Sequence, residues 1–278
     1  MSFTAEWLAL REPVDHRSRN KRVADAVRAY FSGRSELAVV DLGAGTGSNL
    51  RATAPLLPPA QHWTVIDHDA ALLEEIEPTS STIGINREQI DLAADLAQAF
   101  CLSAPCALVT ASALFDLVSA PWLEQFVGFV ASRRLPLYVS LIYTGVERWL
   151  PLHGLDPDVL AAFLRDQRRD KGFGPALGPD AWNWLVTLLE ARGYQIVMGP
   201  SDWQLTTADG QLIRALAHSI ADAVAREGSL PTRDVEDWRQ ARETAQACAI
   251  GHKDIFAIPD RPQRVRPHAP AKSFGARP

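Results

Sequence analysis

Three glycines stand at alternate positions in Val39-Val40-Asp41-Leu42-Gly43-Ala44-Gly45-Thr46-Gly47-Ser48-Asn49. The apolar run before them reads as a strand, and the segment after them is compatible with a helix. Glycine takes positive φ and lets a backbone approach a ligand closely. In open α/β sheets, ligands sit beyond the carboxyl ends of the strands, near the switch point. Asp67 lies 20 residues after Gly47, at the end of the next apolar run, His62 to Ile66. A carboxylate there can accept two hydrogen bonds from the hydroxyls of a ribose.

Spacing separates two cofactor classes. A dinucleotide fingerprint reads G-x-G-x-x-G, but Ser48 stands where its third glycine belongs. Asp41, just before the loop, would repel a pyrophosphate and suits a ligand carrying positive charge. The pattern D-x-G-x-G-x-G, followed by an acid ending the next strand, resembles the class I S-adenosylmethionine-dependent methyltransferases. The resemblance covers about residues 23–143 and thins out towards Ile258. It implies that Asp41, Gly43, Ala44, Gly45, Gly47 and Asn49 form the cofactor loop and that Asp67 binds the ribose. It sets His68 near the adenine, Asp91 and Leu92 at the adenine amino group, and Thr110 to Leu114, with Ser112, along the methionine part. No N-P-P-Y or D-P-P-Y follows strand 4; Ser112-Ala113-Leu114-Phe115-Asp116 stands there instead. Trp7-Leu8-Ala9-Leu10-Arg11-Glu12-Pro13 and Asp170-Lys171-Gly172-Phe173-Gly174-Pro175 look like marks of a bacterial subgroup.

Methyl transfer from a sulfonium is an in-line displacement in which the protein orients the nucleophile and excludes water. The candidates for contacting an acceptor are Arg11, Asp116, Tyr143, Asp166 and Lys171. Arg11 could instead clamp the cofactor carboxylate, and each candidate has a plainer reading: a surface ion pair for Arg11, a helix cap or solvated acid for Asp116, a core aromatic for Tyr143, and a solvated helix end for Asp166, Asp170 and Lys171. His153 reads as a loop histidine, and Cys106 as part of a strand. Trp149, Trp182, Trp184, Trp203 and Phe173 suggest an aromatic pocket, although helical spacing favours core packing. No general base can be named from the sequence.

The elements that must position these residues alternate. Strands are expected at Leu37–Leu42, His62–Ile66, Thr82–Ile90, Cys106–Ala111, Leu137–Tyr143, Tyr194–Met198 and His252–Ile258. Helices are expected at Lys21–Phe31, Ser48–Leu57, Ala70–Ile76, Trp122–Arg133, Pro157–Arg169, Ala181–Arg192, Leu212–Arg226 and Val235–Ala249. Repeated β-α-β units predict an α/β fold with a mostly parallel sheet and helices on both faces. The resemblance makes this a Rossmann-like, seven-stranded sheet with its last strand antiparallel, and helical insertions follow strands 5 and 6. One domain is expected over residues 1–258, with a cofactor half at about 21–143 and a capping half at 144–258. Residues 259–278 read as a disordered tail rich in Pro and Arg.

The 278 residues are 47% hydrophobic and 22% charged, which fits a globular chain that needs neither disulfides nor a structural metal to hold a core. The net charge is −5; without the tail, 23 basic and 32 acidic residues remain, a body at −9 that suits a phosphate backbone poorly. Nucleic acid is therefore disfavoured as a partner. The cysteines, Cys101, Cys106 and Cys248, form no C-x-x-C pair, which argues against a disulfide framework and a zinc site and suits a cytoplasmic setting. The N-terminus lacks the basic start and apolar run of a signal peptide. Residues 98–115 carry no charge, but Pro105 and several hydroxyls break them, so a buried strand with flanking loops is expected and no membrane span. The functional expectation is a methyltransferase using S-adenosylmethionine to methylate an O or N of a small molecule. The alternatives are an RNA or protein methyltransferase, an NAD(P)-dependent oxidoreductase, and a non-catalytic cofactor-binding module.

Overall fold

A computed structural model describes residues 3–102 and 106–260. Its strands are β1 (Glu36–Leu42), β2 (Ala60–Asp67), β3 (Ile83–Gln89), β4 (Leu108–Ser112), β5 (Leu137–Leu150), β6 (Tyr194–Pro200), β7 (Trp203–Thr206) and β8 (Ala247–Pro259). They form one sheet in the order β3-β2-β1-β4-β5-β8-β6, with β7 also paired to β8. Strands β1 to β5 run parallel, and β8 is antiparallel to β5, β6 and β7. The carboxyl ends of β1, β2 and β4 therefore open on one edge of the sheet.

The helices are α1 (Ala5–Ser18), α2 (Lys21–Phe31), α3 (Ser48–Thr53), α4 (Ala70–Glu74), α5 (Leu96–Leu102), α6 (Ala120–Ser132), α7 (Asp156–Gln167), α8 (Ala181–Glu190), α9 (Gly210–Glu227) and α10 (Thr232–Glu243). Successive strand residues point to opposite faces, and the core divides accordingly. Val39, Val65, Tyr138 and Phe256 pack with Val23, Val27 and Phe31 of α2 on one face. Val40, Ile66, Val139 and Ile255 pack with α6 and α8 on the other. A third core, with Trp149, Trp203 and Trp238, joins the outer half of β5 to α7, α9 and α10. The helices after β5, and after β6 and β7, match the expected insertions.

Five local features depart from the expected elements. Helix α1 was not expected; it carries Pro13 internally and charged residues along its length, so no clean apolar stripe announces it. Strand β7 is an eighth strand, four residues long. Residues 244–249, expected to close the last helix, instead lead into β8, because Ala247 to Ile250 pair with both β5 and β7. Helix α5 replaces one of the loops expected around β4. Strand β5 runs on to Leu150 across two register shifts, and Leu141 at the first has φ +58°. Its N–H donates to the buried Asp254 carboxylate at 3.0 Å. Pro105, the side chain of Cys101 and tail residues 261–278 lie outside the described parts of the chain.

Candidate active site

The turn between β1 and α3 is held from three sides. Ala44 N–H donates to Ile66 O of β2 at 2.9 Å, and Gly47 N–H closes the turn on Ala44 O at 2.9 Å. Gly45 N–H donates to Asp67 Oδ2 at 2.8 Å. A Cβ on Gly45 would come 3.1 Å from Leu8 of α1, and one on Gly47 would come 2.8 Å from Ile76. Both have positive φ, so the turn needs glycine twice over. Asp67 is buried; its Oδ1 accepts from Asp69 N–H at 3.1 Å and lies 3.0 Å from His68 Nδ1.

Beneath the turn lies a polar network. Asn49 Nδ2 donates to Asp41 Oδ1 at 2.6 Å and to Thr110 Oγ1 at 3.1 Å, while Asn49 Oδ1 accepts from Arg19 at 2.8 Å. Asp41 is 1% exposed, and its Oδ2 is buried without a partner. Burial pushes its carboxyl up to about 7, against the pull of Asn49 and Arg19.

Above these groups is a cavity of about 240 Å³. Gly43, Ala44, Gly45, Asn49, Asp67, His68, Asp91, Leu92 and Ser112 line it, together with Arg11 and Lys171. Asp41 and Gly47 sit behind the wall and reach it only through Asn49 and the turn. Three acceptor candidates do not line it. Tyr143 is in the third core, its hydroxyl donating to Glu147 at 2.9 Å, and burial and that carboxylate push its pKa up. Asp166 lies under Lys171, paired at 2.8 Å. Asp116 is outside the lining; its Oδ1 is buried and unpartnered, and burial pushes its carboxyl up to about 6.

The remaining candidates are dispersed. His153 accepts from Leu155 N–H at 3.3 Å in the turn before α7. Cys106, its thiol pushed up to about 11 by burial, donates to Leu108 O. Trp149 and Trp203 are core, Trp184 is exposed, Lys253 sits over Trp182, and Phe173 alone of that aromatic set lines the cavity. Sequence reasoning missed Phe3, Leu8 and Asp15 because it missed α1, although the Arg11–Asp15 spacing is that of an i,i+4 helical ion pair. Ala113, inside the expected Thr110–Leu114 segment, lines the cavity and takes φ +51° as the chain leaves β4. Among the described residues, no helix is long and apolar enough to cross a membrane, and no group of three His, Cys, Asp or Glu could hold a metal.

No protein-family model matches the chain, and no curated protein matches it in sequence. Solved structures do. A cyclopropane-fatty-acyl-phospholipid synthase-like protein from Lactobacillus casei superposes with a TM-score of 0.52 at 15% identity, covering 93% of this chain and 95% of its own. A cyclopropane synthase from Mycobacterium tuberculosis gives 0.49 at 10% identity, covering 92% and 94%. A SAM-dependent methyltransferase from Thiobacillus denitrificans, solved with S-adenosylhomocysteine, gives 0.45 at 14% identity, covering 94% and 100%. The first of these likenesses, with the strand order, shows a Rossmann-like α/β fold.

Proposed function

We propose that this chain is a methyltransferase that uses S-adenosylmethionine to methylate an oxygen or nitrogen of a small molecule. The observation that carries the reading is the buried Asp67 carboxylate, fixed by the glycine turn at the mouth of the cavity. Its Oδ2, which accepts only from Gly45 N–H, keeps a lone pair for a ribose hydroxyl. Gly43, Ala44 and Ser112 would lie along the methionine part, and Asp91 and Leu92 along the adenine. The unpartnered Asp41 Oδ2 suits a nearby ammonium. When bound, the cofactor supplies the electrophilic methyl group; the residues of this chain orient the acceptor and keep water out.

A dinucleotide fits the same surface poorly. Its pyrophosphate needs free backbone N–H groups at the turn, but Gly45 N–H is given to Asp67 and Ala44 N–H to Ile66 O. Asp41 and Asp67 add two acids nearby. The acidic body of the chain disfavours RNA, and α1 with the 170–175 turn narrows the cavity towards small acceptors.

A thermal-shift titration with S-adenosylhomocysteine, NADH and NADPH tests the reading. At 100 times its Kd a ligand adds about 2.7 kcal/mol, which at about 2–4 °C per kcal/mol raises the midpoint by about 5–10 °C. That rise is expected with S-adenosylhomocysteine alone. A rise with NADH and none with S-adenosylhomocysteine would make the chain an oxidoreductase.

A further inference from the structure

Two sequence motifs outside the glycine turn, Trp7 to Pro13 and Asp170 to Pro175, converge on the same cavity. The first contributes Arg11 from α1; the second contributes Lys171 and Phe173 from the turn between α7 and α8. That turn is pre-set. Asp170 Oδ1 accepts from Gly172 N–H at 2.7 Å and Gly174 N–H at 3.0 Å, and both glycines have positive φ. Phe173 packs edge-on against Trp122, with centroids 5.4 Å apart.

The two cations are nearly buried and keep donors to spare. The Lys171 side chain is 6% exposed and gives one hydrogen bond, to Asp166 at 2.8 Å. An ammonium has three donors. Asp166, 3% exposed, also faces Arg169 at 3.8 Å and Arg226 at 3.9 Å. Arg11 donates through Nε and Nη2 to Asp15 at 2.8 and 3.3 Å and sits over the Trp203 ring. Its Nη1 has no hydrogen-bond partner among the described residues. Arg11 and Lys171 are each paired with one acid, Asp15 and Asp166, and each keeps a donor beyond that pair. The other end of the cavity carries Asp67 and Asp91. The cavity is thus acidic where β2 and β3 end and cationic under α1 and the 170–175 turn.

We propose that the acceptor is a small carboxylic acid with an aromatic or apolar body, its carboxylate held between Arg11 and Lys171 and its body against Phe173. This rests on the methyltransferase reading. A buried cation with donors left over is stabilised by an anion that uses them, and one spare donor group on each of Arg11 and Lys171 suits the two oxygens of a carboxylate.

Isothermal titration tests this with matched probes: benzoate, phenylacetate and 3-phenylpropionate, each against its neutral amide, on wild-type protein with and without S-adenosylhomocysteine. At least one acid is expected to bind at least about tenfold more tightly than its amide, the scale of one charge-assisted pair. Lys171→Met and Arg11→Met should remove that preference while leaving S-adenosylhomocysteine affinity unchanged. Equal binding of acids and amides, or no acid binding, overturns the clamp, and the wild-type comparison holds even if a variant fails to fold. If Arg11→Met weakens S-adenosylhomocysteine instead of the acid, Arg11 belongs to the cofactor and the clamp is overturned. Failure of wild-type protein to bind S-adenosylhomocysteine overturns the cofactor reading, whereas the acid–amide pairs titrated without it still read the clamp.

Discussion

The backbone N–H of Gly45 donates to the carboxylate of Asp67 at 2.8 Å, tying the turn after β1 to the end of β2. One carboxylate thereby fixes the turn and faces the cavity. Asp67→Ala should weaken S-adenosylhomocysteine binding by about 1.5–3 kcal/mol, the scale of hydrogen bonds to a charged group. Asp67→Asn keeps one oxygen acceptor for Gly45 and should lose less. Titration calorimetry on the folded variants reads this, and unchanged affinity in Asp67→Ala would remove Asp67 from the site.

Two glycines with nearly the same φ separate conformational strain from crowding. Gly33, at +84°, has open space where a Cβ would go, while Gly47, at +82°, has Ile76 at 2.8 Å. Gly33→Ala should cost about 1–2 kcal/mol, the left-handed penalty alone. Gly47→Ala adds overpacking of about 1–3 kcal/mol. Thermal melts should therefore lower the Gly47→Ala midpoint by at least about 2–4 °C more than that of Gly33→Ala; equal shifts would mean that Ile76 yields freely.

Glu147 accepts from Tyr143 at 2.9 Å and from Trp149 at 3.3 Å inside the third core, and burial pushes its carboxyl up to about 7. A raised acid binds its proton more tightly folded than unfolded. Its contribution is complete below the unfolded value, about 4.5, and is lost as pH rises towards about 7. Glu147→Gln cannot titrate, so its stability relative to wild type should climb across that window by up to about 3 kcal/mol. Urea midpoints from pH 4.5 to 7.5 measure it; a pH-independent difference would show that Glu147 titrates normally.

The parts of this molecule legible in sequence are those whose signal is local. The Gly43-x-Gly45-x-Gly47 turn, Asp67 and helix α2 carry their cause in adjacent residues: positive φ, a strand end, and the Val23, Val27 and Phe31 stripe. Ala247 to Ile250 are helix-compatible in isolation and become strand because β5 and β7 flank them. Helix α1 is set by docking, through Glu12 on Arg51 at 2.6 Å and His16 on Ser48, which no local pattern contains. The same limit hid the separation of Lys171, in the cavity wall, from Asp166 behind it.

Asp41 couples this site to pH. It is buried one asparagine away from the cavity, with Oδ2 unpartnered and its carboxyl pushed up to about 7 by burial. Its proton stabilises the fold below the unfolded value of 3.8, and that contribution fades as pH rises through about 7. An ammonium arriving in the cavity favours the ionised form and lowers this pKa. Binding of S-adenosylhomocysteine near pH 6.5 should then release a fraction of a proton, and affinity should rise with pH until about 7 and level off. Calorimetry in two buffers of different ionisation enthalpy counts the proton directly, and Asp41→Asn should abolish both the release and the pH slope. Equal heats in the two buffers would mean that Asp41 stays protonated beneath the turn and that its role is to hold Asn49 in place.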